Sequence, residues 1–466
     1  MGTLSGLVNL TRSTLLSDQA ALNATANNVA NQDTAGYTRQ VVSWQTGDSV
    51  TLSQGVQSSS APTVTTTSVR DRVLEQRVQQ ATQAEASTSS QADVLSQIET
   101  IFGVTGSSTT AGSTALGTSL NAFFSSLTAL AVNPADAATR QGVLSAANSF
   151  ASNFNGAETQ LASISSDLNG GIATSTSVVN GLTATIAGLN QQIRALNPSA
   201  DAGTLEDQRQ LAITQLSQYI GLDQSSTERN GITLTTTGGA LLVSDSRSFS
   251  LTAGTALGVA TLTDSFGNDV TSTITGGSIG GQLAAQQSAV PNVTQALGAL
   301  AQRLVTAINT QNEAGVDQNG LPGAALLGIT FATDGTAKLS VLATSGTAVA
   351  AAGTGEGSAG NTNANALAAL ATGLDGNGFT PSGQLASLLA AVGTSSASLG
   401  ELNTAQQASL TQATSARDSF SAVSLDEEAA NLTQYQRAYQ AAAKLFSILD
   451  TLMAAAINLG SETTVN

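Results

Sequence analysis

Four short patterns in this 466-residue chain have the residue types and spacing of chemical sites. Gly276-x-Ser278-x-Gly280 has the spacing of a nucleophile elbow, where a serine on a sharp turn is activated by a histidine. Gly355-x-Gly357-x-x-Gly360 has the spacing of a dinucleotide loop, whose amides cradle phosphates at a helix start. Asp317-Gln318-Asn319-Gly320 begins like a calcium loop. Asp426-Glu427-Glu428 sets three carboxylates together, as acid–base chemistry requires.

Each pattern lacks a necessary partner. The chain has no His and no Cys, so a Ser-His-Asp triad, a Cys-His pair, thiolate zinc and a histidine proton shuttle are excluded. The elbow spacing therefore reads as a β-to-helix turn. The glycine pattern lies in a Gly/Ser/Thr-rich loop without parallel βαβ units around it. The acidic loop lacks its downstream bidentate glutamate and reads as a turn. The 426–428 cluster follows Ser424, which with Glu427 makes an S-x-x-E capping box, so the carboxylates read as helix-start residues. No catalytic, cofactor or metal residue is expected.

Composition narrows the classes further. The formal net charge of −16, with two lysines (Lys338 and Lys444) and scattered arginines, argues against nucleic acid or an anionic membrane surface as partner. No continuous run of 18 apolar residues appears, so no membrane span is expected. The N-terminus lacks the basic and apolar regions of a cleaved signal peptide.

Helical periodicity covers residues 1–30, 68–102 (Val69, Val73, Ala81, Val94, Leu95 and Ile98 near one face), 116–132, and 135–196 with a weak point at Gly170-Gly171. Asn133-Pro134 and Asn197-Pro198 should stop helices. A shorter helix carries Leu205, Leu211, Leu216 and Ile220 and should close at Gly221. Residues 37–67 read as extended and 231–275 as hairpins, with a strand pair in GITFATDGTAKLSVL. Helix returns at 293–309 and dominates the rest. The expected class is α+β and multidomain. Residues 1–60 with 421–466 would form an inner coiled-coil unit, 61–220 with 361–420 a helical bundle, and 221–360 a β-rich outer unit with one helix.

The two ends carry the strongest pattern. Near the N-terminus Val8, Leu15, Leu22 and Val29 recur every seventh position. Near the C-terminus Leu425, Leu432, Tyr435, Tyr439, Ala442, Phe446, Leu449, Met453 and Ala456 follow an a/d seam. Each buried Leu or Phe contributes roughly 1.5–3 kcal/mol, so two such stripes should pair with each other, with neighbouring copies or with a partner. Between them, Gly36-Tyr37-Thr38-Arg39-Gln40 ends an Asn-rich turn: Gly36 would take positive φ, and Tyr37 and Arg39 would make interface contacts.

These same residues carry a resemblance. ANNVANQDTAGYTRQ (26–40) resembles the N-terminal signature of flagellar rod, hook and hook-associated proteins, and its YTRQ ending is most similar to the hook-associated protein 1 (FlgK) family. SLDEEAANLTQYQRAYQAAAKLFSILDTLMAAAINL (424–459) resembles that family's last helix. LEDQRQLAITQLSQYIGL (205–222) and GGSIGGQL (276–283), leading into 297–323, agree. The departures are a short segment after Gly323 and Ala324-Ala325-Leu326-Leu327 in place of an aromatic pair. The resemblance implies a self-assembling structural protein, exported by the flagellar type III apparatus and forming a tubular homo-oligomer between hook and filament. It implies as partners the hook protein, hook-associated protein 3 on the filament side and an FlgN-type chaperone, and no cofactor. A hook or rod subunit is the alternative; a secreted carboxylate-dependent enzyme on a flagellar scaffold finds no paired carboxylates to support it.

Overall fold

The structure, a computed structural model, describes residues 2–45, 49–51, 57–59, 63–103, 114–196, 202–227, 230–373 and 379–462. Helix α1 (Gly2–Ala30) opens the chain and is followed by four short strands, β1 (Gln40–Gln45), β2 (Ser49–Thr51), β3 (Gln57–Ser59) and β4 (Thr63–Ser68). β1 pairs antiparallel with β4, and β2 with β3.

Helix α2 (Arg72–Phe102) starts later than the expected Ser68. Ser68 is still in β4, and the Asp71 carboxylate caps α2 by accepting from the Val73 and Leu74 amides at 2.8 and 3.2 Å. Val73 accordingly lies on the exposed side of the first turn, whereas Val94, Leu95 and Ile98 are buried. Helices α3 (Ala115–Val132) and α4 (Ala137–Ala195) meet at the Asn133-Pro134 break. The expected stop at Asn197-Pro198 lies outside the described residues.

Helix α4 is unbroken at Gly170-Gly171, contrary to the expected weak point. Each glycine costs about 1 kcal/mol in a helix interior. Here the cost is outweighed because α4 is buried on both sides of the pair: its residues up to Leu168 belong to one apolar core, and those from Ile172 to another. At roughly 90 Å long, α4 is the spine that joins the two.

Helix α5 (Gly203–Tyr219) leads to β5 (Leu222–Ser226), which pairs in the antiparallel order β5-β6-β7-β8 with β6 (Ile232–Thr236), β7 (Leu241–Ser244) and β8 (Arg247–Ser248). Gly221 is not the left-handed helix cap expected of it. A Cβ there would stand 1.9 Å from the Thr275 carbonyl oxygen, so glycine serves close backbone approach. The hairpin β9 (Thr252–Ala256) and β10 (Val259–Thr263) follows, then α6 (Gly277–Ala284), a five-residue π turn over 285–289, and α7 (Val290–Glu313). The chain ends with the hairpin β11 (Leu327–Phe331) and β12 (Ala337–Val341), and with α8 (Thr362–Ala369), α9 (Pro381–Ser421) and α10 (Leu425–Glu462). The fold is α+β, and every strand pair among the described residues is antiparallel.

Three cores hold this together. One joins α2, α3 and the first part of α4 with residues from 285 to 392. A second joins the rest of α4, α5 and α6 with the β5–β10 strands. The third is small: Ala21, Ala24 and Val42, with Val64 and Tyr435 against them. Aromatic side chains are few, and helices dock strands by another device. The Asn155 side chain of α4 donates to the Leu339 carbonyl (2.9 Å) and accepts from the Leu339 amide (2.8 Å), and Asn180 treats Leu251 in the same way. Asn155 thus acts as one residue of a strand beside β12, and Asn180 satisfies both backbone groups of Leu251, the residue before β9.

Three helical windows, Ala115–Val132, one within Ala137–Ala195, and one within Pro381–Ile457, have the length and mean hydropathy to cross a membrane. The absence of a long continuous apolar run therefore does not exclude spans on composition alone. In α3 the apolar residues are used internally: Leu120, Phe123, Leu127 and Leu130 are buried.

One buried acid has no partner. Glu158 of α4 is 3% exposed and neither carboxylate oxygen meets a donor at hydrogen-bonding geometry. Burial pushes it up to about 7, the Ala337 amide offsetting this slightly and Asp334 adding to it. Folded pKa exceeds unfolded, so its stabilising contribution is complete below the unfolded value of 4.5 and is lost as pH rises through about 7. Glu158→Gln should therefore flatten this part of the stability profile and raise stability above pH 7, measured by urea unfolding between pH 5 and 8.

Candidate assembly interface at the paired termini

Helices α1 and α10 pack along each other. Both leave one joint, where Arg39 binds the first turn of α10, so they run antiparallel. Heptad positions on α1 show how they fit. The buried positions of α1 fall in two columns, Thr11, Asp18 and Thr25, and Ala21 and Asn28, with Ser17 and Ala24 beside them; Ala21 and Ala24 pack with Tyr435 of α10, and Asn28 turns into the joint. Thr11 and Ser17 hydroxyls donate to the carbonyls of Leu7 and Ser13, which satisfies them inside the seam. The α1 trough is thus made of small side chains, and α10 fills it with large ones: Leu449 and Ala442 are buried, and Leu432, Tyr435, Phe446 and Met453 half-buried.

The N-terminal stripe therefore sits differently from expectation. Val8, Leu15 and Leu22 are half-buried and flank the trough, and Val29 is exposed. Leu425 and Tyr439 of the C-terminal seam are also exposed. Beyond the seam lies a second stripe that the periodicity reading missed. Ala438, Ala441, Leu445, Ile448, Leu452 and Ala455 alternate by three and four, and all are exposed. Ile448 and Leu452 leave more than half of their surface in solvent, at 57% and 52%. The same spacing rule that found the first seam would have found this one. Leu7 and Leu16 of α1 are exposed as well.

The joint fixes where this pair attaches. Gly36 has φ +79°, as expected, and a Cβ there would sit 3.3 Å from the Leu211 side chain of α5. The Asn28 side chain reads the backbone of Gln40, donating to its carbonyl (2.8 Å) and accepting from its amide (2.9 Å), while the Tyr37 hydroxyl donates to the same Asn28 oxygen (2.9 Å). Burial, with Asp207 and Glu428 nearby, pushes Tyr37 up to about 12, so it remains a donor.

Arg39 donates to Glu428 (2.9 Å) and Glu427 (2.7 Å), and its amide donates to the Ser421 carbonyl (3.0 Å). Burial alone would lower the Arg39 guanidinium, but the two carboxylates outweigh it and hold it up. Glu427 therefore serves Arg39 instead of closing the expected capping box. Thr38 donates through its hydroxyl to Asp207 (2.6 Å), and Arg70 pairs with Glu206 (2.7 Å) and Asp207. Arg70, Glu206 and Asp207 were given no role from sequence; each is a charged residue whose role depends on a partner far along the chain.

The chemical patterns resolve into structure. Gly276 and Gly277 have φ +72° and +63°, and a Cβ on Gly277 would stand 2.2 Å from the Ile220 amide. Gly281 passes the Ser87 carbonyl, where a Cβ would be 2.3 Å away. The GGSIGG block is a crossing point for three elements. In the 353–362 loop the Glu356 carboxylate accepts from the Gly353 amide (2.7 Å) and from Thr362, so an internal anion occupies the place of a phosphate. Asp317 accepts from the Asn319 and Leu321 amides, both at 2.8 Å, as in a turn. Among the described residues no three His, Cys, Asp or Glu are grouped to hold a metal.

The class of protein is set by the two ends, where the paired terminal helices coincide with matches to flagellar families. Residues 10–38 match the family model described as Flagella basal body rod protein, and 415–459 match Flagellar basal body rod FlgEFG protein C-terminal. Residues 95–327, half of the chain, match Flagellar hook-associated protein FlgK helical domain. The chain belongs to the flagellar hook-associated protein FlgK family, and it is a structural component of the bacterial flagellum. Flagellar hook-associated protein 1 of Bacillus subtilis (strain 168) is 28% identical, the match covering 96% of each chain. The protein of the same name from Escherichia coli (strain K12) is 27% identical over 69% of this chain, a match that spans 59% of the relative's length. The solved structure of the flagellar hook junction protein FlgK from Burkholderia pseudomallei shares the fold, with a TM-score of 0.65 at 18% identity, over 75% of this chain and all of that one.

Proposed function

We propose that this chain is the adaptor between flagellar hook and filament, built by self-assembly of its paired terminal helices into a short tube. The observation that carries this is the unpartnered Ala438–Ala455 stripe, which lies on a helix whose other face is already committed to α1. A three-heptad apolar stripe of this kind is stable in water when another helix covers it. A second copy, presenting the same surface around the ring, is the occupant that a tubular assembly supplies.

The proposal extends to organisation and partners. Residues 1–60 with 421–466 form the inner wall, 61–220 with 361–420 the surrounding bundle, and 221–360 the outward unit. The hook protein lies on one side and hook-associated protein 3 on the other. An FlgN-type chaperone covers α10 before export through the flagellar type III apparatus, and the role is structural, without enzymatic chemistry. Val8, Leu15, Leu22, Val29, Leu425 and Tyr439 belong to the surface used between copies, since the intramolecular pair leaves them partly or fully exposed.

Deletion of the gene tests the position in the axis. The expected outcome is complete hooks without attached filaments, with flagellin shed into the medium. Loss of the hook itself would assign the chain to hook or rod.

A further inference from the structure

Helices α2, α4, α9 and the α6–α7 run leave the core of α3 and α7 in the direction of the core that holds the joint, and each is weakened where it leaves. On α4 the first core ends at Leu168 and the second begins at Ile172, so Gly170 and Gly171 occupy the crossing. On α9 the last residue against the first core is Leu399; Gly400 follows it, and nothing from 400 to 420 is buried. On α2 the first core begins at Val94, and in the preceding stretch 84–90 only Glu85 is larger than threonine. Between α6 and α7, Leu283 belongs to the second core and Val290 to the first, with the π turn between them. Pro291 accounts for that turn: it has no amide to donate, and its ring collides with the carbonyl of Gln287, four residues back.

Close approach does not account for the glycines. A Cβ on Gly170 or Gly400 would meet nothing within 4 Å, so alanine would fit at both and would form helix better. Gly156 and Gly181 of α4 have equally open surroundings, but each lies within the span of a single core. Hydrogen bonds between side-chain amides and backbone tie the crossing. Gln286 of the π turn, 2% exposed, donates to the Asn169 side-chain oxygen (2.8 Å) and accepts from the Ala260 amide of β10 (3.1 Å). Asn169 in turn donates to the Gly258 carbonyl (2.8 Å). Beside these bonds lies a cavity of about 320 Å³, between the β9–β10 turn at Leu257-Gly258 and the β11–β12 turn at Asp334-Gly335. Close-packed cores resist deformation, whereas a void at their junction leaves room for movement.

We infer that this crossing is a hinge, about which the core of α3 and α7 tilts against the core that holds the joint. Glycine pairs and π turns are the places where helices bend sharply, and here they fall on one level of the molecule. Tilting opens or closes the cavity between the two hairpin turns while each core moves as a unit. The hinge does not depend on which partner the terminal helices meet.

The test uses the full chain, which has no cysteine of its own. Nitroxide labels on Ser246→Cys, in the β7–β8 turn, and on Ser340→Cys, in β12, both exposed, report the separation of the two cores by pulsed electron spin resonance. A second pair, Ser125→Cys on α3 with Ser340→Cys, gives the width expected of one body. The first pair should give a distribution clearly broader than the second. Gly170→Ala with Gly400→Ala should narrow it to the width of one body and raise the thermal midpoint by a few degrees. Gly156→Ala with Gly181→Ala should raise the midpoint similarly and leave the width unchanged. The hinge is overturned if the parent's distribution is no broader than that of one body, if Gly170→Ala with Gly400→Ala leaves it broad, or if Gly156→Ala with Gly181→Ala narrows it equally.

Discussion

Ile448→Asp yields a chain that folds and pairs its termini but no longer assembles. Ile448 is at the centre of the exposed α10 stripe and 57% of its surface is in solvent, so the isolated chain loses little by the change. Between copies the situation reverses. A buried isoleucine contributes roughly 1.5–3 kcal/mol, and a carboxylate in its place must also be desolvated. Each contact between copies should therefore weaken by at least about a hundredfold, roughly 3 kcal/mol, and a ring repeats that loss at every interface. Sedimentation would show a monomer with the parent's circular dichroism and thermal midpoint. Cells carrying the variant should bear hooks without filaments. Leu449→Asp is the contrasting change. Its side chain is 7% exposed and faces α1, so this variant should unpair the two helices in the monomer itself. Normal assembly by Ile448→Asp would mean that the stripe is not an interface.

Arg39→Ala should free the start of α10 from the rest of the molecule. The change removes both ion pairs and leaves Glu428, 1% exposed, as a buried carboxylate without its cation. Breaking a buried pair from one side costs about 3–5 kcal/mol. The cost should fall locally: amide exchange should accelerate across 425–435, while α4 and the β5–β8 sheet keep their protection. Adding Glu428→Gln removes the stranded charge and should recover part of the loss. If exchange at 425–435 is unchanged by Arg39→Ala, the joint is held by the Tyr37–Asn28 and Thr38–Asp207 contacts instead.

The C-terminal seam was legible because its residues are large and apolar, and the three–four spacing of Leu432, Tyr435, Phe446, Leu449 and Met453 follows from helix geometry alone. Its partner surface was not. Thr11, Asp18, Ala21 and Thr25 form a trough, and small or polar residues give no hydropathy signal. They are defined by what fits into them. The heptad of Val8, Leu15, Leu22 and Val29 stood out for the same reason that it lies to one side: its bulk would hold the helices apart. Asp18 sharpens the point. Burial raises its carboxyl, one of whose oxygens lacks a partner, and a polar group at such a position favours one register over others.

The positions of strands and hairpins were largely readable, since β-branched runs and Gly/Asn/Asp turns mark them. The couplings were not. Nothing local in Asn155 or Asn180 announces that its side chain will bind both backbone groups of a distant residue, Leu339 of β12 or Leu251 before β9. Gly221 shows the limit most plainly. In sequence it looks like a helix cap, but its constraint comes from Thr275, across the fold.

Assembly through the paired terminal helices is tested most directly by a density map of the hook–filament junction at a resolution that separates helices and side chains. In that map α1 and α10 of one subunit should remain antiparallel partners, with Leu445, Ile448 and Leu452 buried against a neighbouring subunit. A map in which those three side chains face open solvent, or in which α10 leaves α1 to pair elsewhere, would contradict it.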